Sequence, residues 1–142
     1  MFDKKYEERL AIWSQFREGL ETAIDPIQDT IDFFSTAPIS NLAADPYSSE
    51  TWPDPWELIE ENNYCPFVKI LAISYTLQLT DKFSQSTFEI HITQDQERST
   101  SDYLLMIDDR VVGLAGEDVH VSRDNVPETT YSKCVHEMPK LH

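Results

Sequence analysis

Glycine is scarce in this chain, with only 3 in 142 residues. A phosphate-cradling loop needs several glycines at fixed steps, and neither the G-x-G-x-x-G nor the G-x-x-x-x-G-K pattern occurs, so nucleotide binding by such a loop is not expected. Cysteine is nearly as rare. Cys65 and Cys134 are too few and too far apart in the chain for a disulfide framework. Without an export signal, reduced thiols in a cytosolic setting are the expectation. Basic residues are outnumbered, 11 against 26 acidic, for a formal charge of −15. A field of that sign repels phosphate backbones and anionic lipid unless a local basic patch intervenes. The nearest such feature, Lys4-Lys5, is followed at once by Glu7-Glu8, so neither direct nucleic-acid binding nor membrane association is expected. No apolar run approaches bilayer length, and Met1-Phe2-Asp3-Lys4-Lys5 reads as a charged helix opening rather than a signal peptide.

What is present suits a globular domain. Apolar residues make up 40% and aromatics 11%, and a chain of this length folds as one domain that buries roughly two-thirds of its unfolded surface. Leu10, Trp13, Phe16, Leu20 and Ile24 recur at three- and four-residue steps, the stripe of an amphipathic helix. Asp25-Pro26 then places a cap and a first-turn proline ahead of a short helix with Ile27, Ile31 and Phe34 inward. Ala37 to Thr51 lacks periodicity and reads as an ordered loop. Asp54, Pro55 and Glu57 form a capping-box arrangement, and Asn62-Asn63 stops the helix it starts. Trp52 and Trp56 around it are expected to pack at the core and its rim. From Pro66 to about Gln78, Val68, Leu71, Ala72, Tyr75 and Leu79 fit a helical face. Ile73, Tyr75, Leu77 and Leu79 also alternate as in a strand; length favours a buried helix.

The second half changes character. Phe88, Ile90 and Ile92 alternate with Glu89, His91 and Thr93, a half-buried strand. A polar loop from Gln94 to Ser101 leads to Tyr103-Leu104-Leu105-Met106-Ile107, apolar on both faces and therefore central in a sheet. Asp108-Asp109-Arg110 turns the chain into Val111-Val112-Gly113-Leu114, giving a hairpin, and Val119 and Val121 flank His120 in a fourth short strand. Helices first and antiparallel strands afterwards indicate an α+β fold: N-terminal helices and one buried central helix packed on a small antiparallel sheet. Residues 1–122 form the globular domain, and 123–142 form an extended C-terminal arm. Val126, Tyr131, Val135, Met138 and Leu141 are spread too thinly along that arm to fold alone. They are therefore the expected interface residues, and removal of 123–142 is expected to leave a folded domain.

The sharpest catalytic candidate begins at Cys65, a thiol at a helix N-terminus, where the helix dipole favours thiolate. His91 follows on a strand and Asp108 at the end of the next. This order of Cys, His and acid resembles that of transglutaminase-like and papain-like thiol enzymes over Cys65 to Asp108, which implies a cysteine hydrolase. Against it, Pro66 removes an amide that would stabilise an anion, no small-residue segment opens a path to the thiol, and acids are common in turns. A buried Cys acting as a small hydrophobe is the plainer reading. For metal, Cys134 and His136 fall on one side of the arm, with His120 or His142 as a third ligand, but no paired zinc spacing occurs. No cofactor is expected.

Trp52-Pro53-Asp54-Pro55-Trp56-Glu57-Leu58-Ile59, then Tyr64-Cys65 and Tyr75-Thr76-Leu77-Gln78-Leu79-Thr80, resemble small tailed-bacteriophage proteins thought to be virion components of the neck or tail. The resemblance spans about the middle third. It implies a non-enzymatic structural subunit of a particle assembled in the host cytoplasm, with other protein subunits, copies of itself included, as partners. The thiol hydrolase is the second reading and a small acidic regulatory binding protein the third.

Overall fold

The computed structural model describes residues 1–41, 44–95 and 100–141. The first five residues form a turn, with Lys4 N–H donating to Met1 O at 3.0 Å, and helix α1 (Tyr6–Leu20) begins after it. Trp13 and Leu20 are buried and Leu10 and Phe16 half-buried, as the stripe requires. Ile24 lies past the end of α1, where helical spacing no longer aims it inward, and is fully exposed. Helix α2 (Pro26–Ser35) is capped by Asp25, which accepts from Gln28 N–H at 3.2 Å. Helix α3 (Pro55–Glu61) has both halves of the capping box, and Asn62 ends it in the left-handed conformation at φ 50°.

Helix α4 (Pro66–Gln78) settles the ambiguous stretch. Apart from Pro66 and Lys69, every residue in it is buried, so it is enclosed all round and shows no single period. Its polar atoms are joined to the rest of the domain. Trp13 Nε1–H donates to Thr76 Oγ1 at 3.0 Å, Tyr75 O–H donates to Pro53 O at 2.7 Å, and Gln78 Nε2–H donates to Pro139 O at 2.8 Å. Met138 N–H likewise donates to Phe88 O at 2.8 Å.

Among the described residues five antiparallel strands follow: β1 (Phe88–Asp95), β2 (Thr100–Ile107), β3 (Arg110–Val112), β4 (His120–Ser122) and β5 (Thr130–Glu137), in the order β4-β3-β2-β1-β5. The α+β architecture and the central place of β2 agree with the sequence reading. β1 and β2 run further into the expected loop of residues 94–101 than alternation indicates, and residues 96–99 lie outside the described ones. Phe88, Ile90, Leu105, Ile107 and Val112 face α4 in the main core. On the outer face, Leu104, Met106 and Val111 form a second cluster with Leu114, Val121 and Val126.

The C-terminal segment is extended, as expected, but it is not a separable arm. β5 pairs with β1 from Glu89↔Glu137 to Asp95↔Thr130, with a bulge opposite Ile92/Thr93. Met138 and Leu141 pack on the main core and Val126 on the outer cluster. The sequence reading missed this because the partner is β1, about forty residues upstream, and half of a sheet edge shows no period that identifies its mate. β4 and β5 lie at opposite edges of the sheet, so residues 123–129 cross its outer face and bring Val126 onto Leu104, Met106 and Val111.

Candidate functional site

The three thiol-enzyme candidates are not brought together. Cys65 precedes α4, is 2% exposed, and belongs to the main core on the helix side of the sheet. His91 alternates with Ile90 and Ile92, which places its ring on the outer side, opposite Leu104 and Val135. The sheet therefore stands between thiol and imidazole. The partners of His91 are Ser132 Oγ at 2.7 Å and Glu89 Oε1 at 3.3 Å. Glu89 Oε1 also accepts from Arg123 Nη2 at 3.4 Å, so His91 joins the crossing segment to β5. Asp108 sits in the β2–β3 turn at φ 50° and accepts from Thr87 N–H at 3.0 Å and from the Thr87 hydroxyl at 3.1 Å. Burial alone would push its carboxyl up, but bonds from Thr87 and Ser86 and the Lys140 charge outweigh it and hold the group below the usual carboxylate range. Asp108 thus ties the turn to the chain entering β1.

The metal candidates separate in the same way. Cys134 and His136 do share a side of β5, with Sγ 3.3 Å from Nε2. His136 Nε2 is also 3.0 Å from Pro46 O. A carbonyl can only accept, so Nε2 carries the proton in that bond and has no lone pair for a metal. His120 is far away at the corner between β4 and α2. Its Nδ1 accepts from Arg110 Nε at 3.0 Å, so Nε2–H is left to donate to Asp25 Oδ1 at 2.9 Å. Both of its nitrogens are engaged. His142 lies outside the described residues, and among those described no group of three His, Cys, Asp or Glu residues is placed to hold an ion.

The expected interface residues divide. Val126 is turned onto the outer cluster, while Met138 and Leu141 are half-buried against the main core. Tyr131 and Val135 are exposed, each at 46%. Val135 stands opposite His91 on the outer side of the sheet, and Tyr131 opposite Gln94 on the helix side. Between them Lys133 is the extra residue of the bulge. β5 ends the strand order, so its far edge faces no other described strand. A groove of about 580 Å³ runs beside it, lined by Trp52, Tyr75, Val135, His136, Met138 and Leu141. The Trp52 and His136 rings meet edge to face at 4.6 Å in its wall, and Asp54, Glu57 and Glu137 supply its charge. Sequence reading found Val135, Met138 and Leu141 but not Trp52 or Tyr75, which join them only because β5 folds back beside the loop preceding α3.

Among the described residues, no helix is long and apolar enough to cross a membrane. Compared with protein-family models, curated proteins and solved structures, the chain finds no match in any of the three.

Proposed function

We propose that this chain is a non-enzymatic assembly protein that joins a multi-protein particle by receiving a neighbouring subunit along the outer edge of β5. The carrying observation is that edge itself: eight residues of strand whose far side faces no other described strand, exposed Tyr131 and Val135, and the groove adjoining them. An open edge is a template for main-chain pairing, and a groove next to it adds side-chain selectivity. The bulge and Lys133 limit promiscuous pairing, so the neighbour must match one register. The distance between Cys65 and His91, on opposite sides of the sheet, weighs against the hydrolase reading. The resemblance of residues 52–59, 64–65 and 75–80 to small tailed-phage proteins supports a virion neck or tail as the particle.

The test is the mass of the native complex containing the full chain, compared with a Tyr131→Asp/Val135→Asp double variant. The variant should keep its melting transition within a few degrees, because both side chains are exposed, and should remain a monomer where the wild type enters the complex. A variant that assembles as the wild type does would sink this reading, and so would a wild-type chain that stays monomeric among its particle subunits.

A further inference from the structure

A second depression lies between α2, α4 and the end of β3, and it shares no lining residue with the groove beside β5. Its volume is about 420 Å³, within the range of ligand-binding clefts, about 300–1,000 Å³. Ile31, Phe34, Ile70, Ile73 and Val112 form an apolar floor, and Ile39 stands at the rim at 62% exposure. Gly113, Gly116, Glu117 and Asp118 form one wall. Gly113, Ala115 and Gly116 all have positive φ, at 91°, 57° and 72°. A Cβ at Gly113 would come 2.7 Å from Tyr103 O and 3.2 Å from Ile70 Cδ1, so only glycine lets this wall approach so closely. At Gly116 a Cβ would meet nothing within 4 Å.

The wall is anchored. Gln28 Nε2–H donates to Asp118 O at 2.9 Å, Gln28 Oε1 accepts from His120 N–H at 3.4 Å, and His120 is joined to Asp25 at the start of α2. The cleft is thus held open by its own hydrogen bonds and needs no large rearrangement to admit an occupant. Among the described residues its charged side chains are Glu117 and Asp118 against Lys69; Asp102 touches its edge but lies on the same side of β2 as Leu104. Lys69 reaches back to Ser35 O at 3.5 Å. A partner that fills an apolar floor ringed by excess negative charge, on a chain of net charge −15, must itself be apolar at its centre and basic at its flanks.

We infer that this cleft binds a short peptide segment of a partner protein, with one or two large apolar side chains on the floor and Lys or Arg facing Glu117 and Asp118. A second copy of this acidic chain is disfavoured by like charge. The inference is independent of the reading of β5.

The test uses the full chain with labelled isoleucine methyls and two blocked pentapeptides, Lys-Leu-Phe-Leu-Lys and Glu-Leu-Phe-Leu-Glu, with laurate as a third probe. The basic peptide should give saturable shifts at Ile31, Ile39, Ile70 and Ile73. It should bind at least tenfold more tightly than the acidic one and weaken as salt rises. Glu117→Lys/Asp118→Lys should abolish that preference, and Ile39→Ser, an uncharged change at an exposed position, should weaken the basic peptide while the chain stays folded. Absence of these shifts at millimolar basic peptide overturns the inference. Equal binding of the two peptides, or tighter binding of laurate through Lys69, overturns it as well.

Discussion

Tyr75 shows how a side chain that reads as plain core carries both a bond and a titration. Its hydroxyl donates to Pro53 O from a buried position on α4. Burial first, then the charges of Asp54 and Glu57, pushes the phenol from 10.0 up to about 12. The unfolded chain therefore loses this proton first, and between about pH 10 and 12 unfolding becomes progressively easier. Denaturant titrations across that interval should show stability falling with pH, and Tyr75→Phe should flatten part of the fall; Tyr64, also raised by burial, accounts for more of it. An unchanged slope in the variant would contradict the assignment. Cys65 makes the complementary case. As a small buried group it should cost about 1–2 kcal/mol on conversion to Ala, leave assembly intact, and alkylate more slowly than half-buried Cys134. Rapid labelling of Cys65 at neutral pH, lost in His91→Ala, would restore the catalytic reading. Chemistry that depends on neighbours in sequence was legible at this scale: Asp25-Pro26 and Asp54-Pro55-x-Glu57 cap their helices as their spacing requires. The positions of Cys65 and His91 on opposite sides of the sheet were not, because the pleat decides them only once the helices have chosen a face.

At the scale of elements, local patterns identified the helices, the β2–β3 hairpin and the short β4, while the path of the C-terminal segment escaped. Thr130–Glu137 alternates weakly, since an edge strand is wet on much of its surface. Nothing in its own composition names β1 as its partner. The buried Gln78 was the available clue: a long amide inside an apolar helix needs an acceptor, and Pro139 O is that acceptor. Two expectations follow. Deleting residues 123–142 should abolish the cooperative melting transition, since it strips a strand from β1 and removes Met138 and Leu141 from the core. A sharp melt near the wild-type midpoint would show that the sheet closes without β5. Gln78→Ala should cost about 1–3 kcal/mol, because the buried Ser74 hydroxyl that donates to Gln78 Oε1 at 2.8 Å loses its acceptor, and amide exchange should quicken at residues 138–141 before it does in β2.

For the molecule as a whole, charge is the property that governs encounters. At −15 with no basic patch, the chain should give no retardation of duplex DNA at physiological salt and micromolar protein, because repulsion leaves no counterion release to drive contact. A band shift that fades with added salt would refute this. The path of residues 123–129 across the sheet has a consequence for how the chain is made. Synthesis delivers β1 before β5, and the partner that covers β1's open flank leaves the ribosome about forty residues later. Pairing across that separation carries the entropy of closing a long loop, which slows the final step. Until it completes, the nascent chain displays Phe88–Asp95 with one side bare, a strand edge of the kind that recruits other chains. Yield of the intact protein should therefore depend on how soon that interval ends. A stop codon or protease cut within 123–129 should convert a well-behaved chain into an aggregating one.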